Sequence, residues 1–157
     1  PREGREQHPQ QALWPTERKL RAHARCISAE MHSGFTHLRS ECGMNIQANL
    51  SQVGQRLWQQ NAQLRQEVER IESIWAQRPH AQGFLCGAFC IADAFYAPLV
   101  MRLLSYGLPL SASAQQYVET MRQHAAVQQW MDAALQEQAW VNYLEPYRQV
   151  KTPKDQS

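Results

Sequence analysis

Nowhere does the 157-residue chain hold the roughly 20 consecutive apolar residues that a membrane-spanning helix needs, and it shows no secretory signal or lipidation motif. No membrane partner is expected. Cysteine is scarce: Cys26, Cys42, Cys86 and Cys90 include no C-x-x-C pair and no histidine spacing suited to zinc. Cys86 and Cys90 stand four apart across a turn and a helix start, and are expected to be reduced and buried, with a redox role as the alternative. Free cysteines without an export signal point to the cytoplasm. An excess of one charge is also missing, since 16 Lys and Arg face 14 Asp and Glu and the basic residues are scattered. No nucleic-acid partner is expected. Alternating β-branched runs are absent, which excludes a sheet and leaves an all-α fold. Hydrophobic residues at 43% against 19% charged argue for a globular chain rather than a disordered one.

What the chain does have is GFLCGAFCIADAFYAPLVMRLLSYG at residues 83–107. Between residues 91 and 104 the only side chains charged near neutral pH are Asp93 and Arg102, and a helix apolar on every side is buried. This stretch is expected to be the central helix of the molecule. Cys90 stands at its N-cap and Asp93 at N3, where a carboxylate reaches back to the N–H of residue 90 as one half of a capping box. A carboxylate in that place is far more often structural than an acid catalyst, so Asp93 is assigned to the cap. Pro98 lies inside the helix and is expected to bend it.

The run FLCGAFCIADAFYAP at residues 84–98 resembles the "FLFG-x-FSIADA-x-YAP" signature of the C-terminal helical domain of bacterial glutathione S-transferases. Cys86 and Cys90 depart from it, standing where aromatic and Ser residues are usual. A second run, Glu30-Met31-His32 followed by Phe35 and Leu38, is similar to the "E-[LM]-H-x-x-F-x-x-L" segment of the same family. Ser33 stands where the beta class often has Lys.

Helical periodicity organises the remainder. Residues 1–12 are polar and aperiodic and are expected to be a linker, the remnant of an interdomain crossing. Because the chain begins with Pro1 rather than Met, it fits a fragment or a processed product. Leu13 to Thr16 break the chain and cap a first long helix, with Glu17 in its first turn. Its inward face carries Leu20, Ala24, Ile27, Met31, Phe35 and Leu38, and it is expected to run to about residue 39. A loop follows over residues 40–54. A second long helix then buries Leu57, Leu64, Val68, Ile71 and Trp75, with Arg65, Glu67, Glu69 and Arg70 on a solvated face. After the central helix, Ser111 or Ser113 caps another, and a turn at His124 leads to a last one with Val127, Trp130, Met131, Ala134 and Leu135 inward. The expected architecture is a bundle of about five helices over residues 13–138. Residues 139–157 are expected to be a tail with its aromatic part packed on the bundle, a lid over a ligand being the alternative.

Candidate site residues follow from the resemblance and from chemistry. The resemblance implies that His32 lines the cleft beside bound glutathione; by itself a lone histidine is most often a polar-face residue. His23, His32 and His37 are not spaced to put two imidazoles on one helix face, so no metal is expected. Met31, Phe35, Met44 and Asn45 are candidates for the wall of an apolar substrate pocket, although core packing accounts equally well for Met31 and Phe35. Arg102, on an otherwise apolar helix, is expected to form an ion pair with a neighbouring helix or to bind a substrate carboxylate.

The resemblance further implies the helical half of a glutathione S-transferase, with glutathione as co-substrate, no cofactor, and a small electrophile as the second substrate. That family's thioredoxin-like N-terminal domain holds glutathione and activates its thiol, and no such strands occur in this sequence. The isolated chain is therefore expected to be inactive, with the thioredoxin-like domain and a second copy of the chain as partners. The alternative is a non-catalytic helical domain used for binding or assembly.

Overall fold

A computed structural model describes residues 13–138 of the chain. In chain order its helices are α1 (Arg18–Ser33), α2 (Thr36–Glu41), α3 (Ser51–Gln60), α4 (Ala62–Ala76), α5 (Ile91–Ser105), α6 (Ala112–Gln123) and α7 (Ala125–Gln136). Among the described residues there is no strand, only two isolated bridges within the turn at residues 84–88. No helix there is long and apolar enough to cross a membrane. The fold is all-α, as the missing alternation required.

The central helix is α5, which buries Ala92, Asp93, Tyr96, Ala97, Leu99, Val100, Met101 and Leu103. Each large apolar side chain so removed from water contributes about 1.5–3 kcal/mol, and α5 and α4 carry five each. Its most extensive pairing is with α1. Across that interface the Tyr96 hydroxyl donates to the Ile27 carbonyl at 3.2 Å. Trp75 from α4 lies edge-on to Tyr96 with ring centroids 6.4 Å apart, and Tyr117 from α6 lies 4.7 Å from Trp75. Burial is not complete around the helix. Ala94 is exposed, Ile91, Phe95, Pro98 and Arg102 are half-buried along the same face, and Leu104 is 39% exposed.

The two long helices expected from the apolar stripes are each broken, so the expected five become seven. The first ends at Ser33, and Phe35 takes a left-handed backbone with φ 55° before α2 begins. The break is held from a distance: the Glu67 carboxylate accepts the N–H groups of His37 (3.1 Å) and Leu38 (2.7 Å), supplying α2 with the cap its own sequence lacks. The second breaks at Asn61, whose side chain accepts the Leu64 N–H at 2.9 Å and starts α4. The apolar stripe runs through both breaks because Phe35, Leu38 and Leu64 are all buried on the inner side.

Other expectations need correction. The N-cap of α1 is Glu17, not Thr16, with its carboxylate accepting from Lys19 and Leu20. The expected loop ends earlier, since Ser51 to Gly54 already belong to α3. There the backbone passes so close to α5 that a Cβ on Gly54 would lie 1.8 Å from the Tyr106 carbonyl oxygen. Of the charges expected on a solvated face of α4, Glu69 and Arg70 are exposed, with Arg70 forked onto Glu30 at 2.7 and 2.9 Å, whereas Glu67 and Arg65 are half-buried, Glu67 capping α2 and Arg65 donating to the Trp58 carbonyl. Leu135, expected inward, is 54% exposed because α7 packs on α6 at the rim of the bundle. The expected cap of α6 stands, with Ser111 Oγ accepting the Ala114 N–H at 3.3 Å. The expected linker at residues 1–12 and tail at residues 139–157 lie outside the described residues.

Candidate functional site

The break at Phe35 decides where the expected site residues go. His32 sits in the last turn of α1 with an exposed side chain, and its carbonyl accepts the Arg39 guanidinium at 2.8 Å. Met31 is half-buried against the core, while Phe35 turns fully inward, its ring edge-on to Tyr96 with centroids 6.5 Å apart. Met44 is half-buried. Asn45 is 7% exposed, and its Oδ1 accepts the N–H groups of Gln47 and Ala48 at 3.0 Å each, an Asx turn that shapes the loop. Its carbonyl accepts the Ser105 hydroxyl, fixing that loop to the end of α5.

Arg102 makes no ion pair among the described residues, contrary to expectation. Its Nε donates to the Cys42 carbonyl at 2.9 Å and its Nη1 to the Pro98 carbonyl at 3.1 Å. Burial lowers its pKa, and the Cys42 carbonyl at the C-cap of α2 and the Pro98 carbonyl of α5 itself stand in for a carboxylate.

Two clefts of about 450 Å³ each adjoin one another at Arg122 and Met131. The first lies among the 46–51 loop, the end of α5 and α7, with Met101, Leu104, Ile46 and Met131 as its apolar lining and Asn49, Ser51 and Ser105 as polar groups. The second continues along α6 and α7 past Glu119, Gln123, Gln128 and Asp132. Arg122 is half-exposed and meets Glu119 at 3.5 Å, a loose contact that leaves its guanidinium accessible. Such a cleft suits a small molecule with an apolar body and an anionic end. None of His32, Met31, Phe35, Met44, Asn45 or Arg102 lines either of these two clefts. Sequence reading missed Arg122 because nothing local separates it from the other surface arginines.

The densest polar cluster surrounds Asp93, which is 0% exposed. Cys90 and Asp93 close a capping box, with Asp93 Oδ2 accepting the Cys90 N–H at 3.0 Å. Its Oδ1 accepts the Leu85 N–H at 2.9 Å and the Tyr117 hydroxyl at 3.0 Å. Burial outweighs these donors and holds the carboxyl above the usual aspartate range. Burial, then the Asp93 charge, drives the Tyr117 phenol well up. Both carboxylate oxygens of Asp93 are engaged, so the cluster is a clamp on the start of α5. Arg78 is a second buried anchor, donating to the carbonyls of Trp75 (2.7 Å), Ala81 (2.7 Å) and Ser113 (2.9 Å) with its guanidinium over the Tyr117 ring. Among the described residues no cluster of three His, Cys, Asp or Glu could hold a metal ion.

No protein-family model matches the chain, and no curated protein matches it.

Proposed function

We propose that the chain is the C-terminal helical domain of a bacterial glutathione S-transferase, forming the hydrophobic-substrate side of a site where the glutathione thiolate attacks a small electrophile. The reading starts from the two sequence runs that resemble that family. The observation that carries it is the open face of α5, where Ile91, Ala94, Phe95 and Pro98 run along one side of an otherwise buried helix. An apolar stripe on the central helix of a bundle is surface that a second domain covers. A thioredoxin-like domain is that partner in this reading, with residues 1–12 as the crossing between the two.

Glutathione's thiol is mostly protonated near neutral pH, and conjugation needs its thiolate, so a Ser, Tyr or Cys of the thioredoxin-like domain supplies the activating hydrogen bond. His32, exposed on α1, walls the glutathione cleft. A cytoplasmic detoxification role and a homodimer built partly on the first helices accompany this assignment.

Conjugation of a chlorinated nitroaromatic with glutathione tests it. This chain alone is expected to give no rate above the uncatalysed reaction, and the two-domain protein encoded with the sequence upstream of Pro1 is expected to turn over. Turnover by this chain alone, or an upstream sequence lacking a βαβ unit with an early Ser, Cys or Tyr, refutes it. A second reading, a non-catalytic binding or assembly module, draws on the same open apolar face of α5, which would seat a partner without any conjugation. A folded two-domain protein without conjugating activity selects that reading.

A further inference from the structure

The cleft at the C-terminal end of α5 stands apart from the proposed conjugation site, whose candidate residues do not line it. Its walls are three separate segments tied to one another. The Leu50 N–H donates to the Ser105 carbonyl at 2.7 Å, and the Ser105 hydroxyl donates to the Asn45 carbonyl, joining the 46–51 loop to α5. Gln47 Nε2 donates to the Ala134 and Glu137 carbonyls at 2.9 and 2.7 Å, joining the same loop to the end of α7. These bonds fix the walls around about 450 Å³ in advance of any ligand, so binding there orders little of the chain. Ile46, Met101, Leu104 and Met131 make the space apolar, and Leu104 is 39% exposed. Among the described residues that line this cleft, Arg122 carries the sole charge, whereas the acids Glu119 and Asp132 line its neighbour.

We propose that this cleft binds an aliphatic monocarboxylate of medium chain length, with its hydrocarbon against Met101, Leu104 and Met131 and its carboxylate on the Arg122 guanidinium. The thioether side chains of Met101 and Met131 adapt to a flexible hydrocarbon, and a guanidinium presents two parallel N–H groups to a carboxylate. Glu119 does not hold Arg122 back. Their contact is 3.5 Å long between side chains 50% and 48% exposed, and Glu119 keeps the Gln123 amide at 2.8 Å when the guanidinium turns away. Asp132, in the neighbouring cleft, repels a second negative charge, so a monocarboxylate is preferred to a dicarboxylate. A fatty amine in the same place meets Arg122 first and is disfavoured.

The test is isothermal titration calorimetry of the whole chain with decanoate below its micelle-forming concentration, alongside octanoate, decanol and decylamine. Decanoate is expected to bind in a single saturable step, tighter than octanoate by about two- to fourfold per added methylene. Decanol, which lacks the charge, is expected to bind about five- to tenfold more weakly than decanoate. Arg122→Ala is expected to weaken decanoate by the same factor and to leave decanol unchanged. Leu104→Glu, at an exposed position, puts a carboxylate into the cleft and is expected to abolish decanoate binding. In the wild type, the methyl resonances of Met101 and Met131 are expected to shift with decanoate while that of Met31 stays. The proposal is overturned if decanoate shows no saturable binding, if decanol or decylamine binds as tightly, if Arg122→Ala leaves decanoate unchanged, or if the Met101 and Met131 resonances do not move. The wild-type titrations and methyl shifts decide this whether or not the variants fold, and their outcome is independent of glutathione conjugation.

Discussion

Replacing Asp93 by Ala is the sharpest test of what holds the bundle together. The carboxylate is 0% exposed and accepts the Leu85 N–H at 2.9 Å, the Cys90 N–H at 3.0 Å and the Tyr117 hydroxyl at 3.0 Å. The substitution leaves three buried donors without an acceptor, each costing about 1–3 kcal/mol. Relief of the cost of burying a carboxyl offsets part of that sum, so the expected loss is about 3–5 kcal/mol. For a domain whose whole stability is of order 5–15 kcal/mol, that is a large fraction. Tyr117→Phe removes only one donor and leaves both backbone bonds, and is expected to cost about 1 kcal/mol. Because both residues belong to one network, the double variant is expected to lose less than the sum of the single losses. Urea unfolding followed by far-UV circular dichroism gives these values from midpoints at constant slope. A loss under about 1 kcal/mol for Asp93→Ala would refute the clamp and return the stability of α5 to apolar burial alone.

Gly54→Ala places a Cβ 1.8 Å from the Tyr106 carbonyl oxygen, a backbone atom that cannot swing aside, and is expected to lower stability by about 3 kcal/mol or more in the same urea experiment. Glu67→Ala removes the acceptor for the His37 and Leu38 N–H groups, and is expected to cost about 1–2 kcal/mol and to raise hydrogen exchange at those two amides. Burial raises the folded pKa of Asp93, so its linkage contribution is full below the unfolded value of about 4 and is lost as pH rises through the folded value. Over that interval the wild type is expected to lose stability relative to Asp93→Asn. Glu30 has the opposite sign: Arg70 holds its carboxyl below the usual range, so its contribution is present above the unfolded pKa and lost as pH falls. With side chains 50% and 34% exposed, that pair is worth under about 1 kcal/mol, and unfolding midpoints in high salt are expected to remove it.

Local signals were legible in the sequence, and distant ones were not. The nearly apolar composition that makes residues 91–104 the central helix, the Cys90–Asp93 cap and the Ser111 cap are local signals, and all three elements are found where the pattern puts them, with one face of the central helix left open. The breaks at Phe35 and Asn61 escape the apolar periodicity because the stripe continues through them. The cap that stabilises the first break comes from Glu67, about thirty residues away. Tyr117 reads as one more apolar residue of α6, and its bond to Asp93 across 24 positions could not be read from spacing. Asn45, in a loop beside Met44, is a pocket candidate because core packing does not account for it; the Asx turn it forms accounts for its burial and depends on a loop shape that the sequence does not announce.

The two arginines on the α5–α6 side of the bundle differ in what they can still bind. Arg102 spends its Nε and Nη1 on the Cys42 and Pro98 carbonyls, so a substrate carboxylate there would have to displace bonds that also close the end of α2. Leaving those carbonyls unsatisfied costs about as much as the new ion pair returns. Arg122 is half-exposed and, among the described residues, is held by Glu119 at 3.5 Å, and it borders both clefts. Exchanging that loose contact for an incoming anion costs little, because an exposed pair is worth under about 1 kcal/mol. The isolated arginine of the central helix drew attention as an anion site because nothing charged lies near it in sequence. The fold gives it neutral partners instead, and leaves the accessible cation on a helix whose sequence offers no reason to single it out.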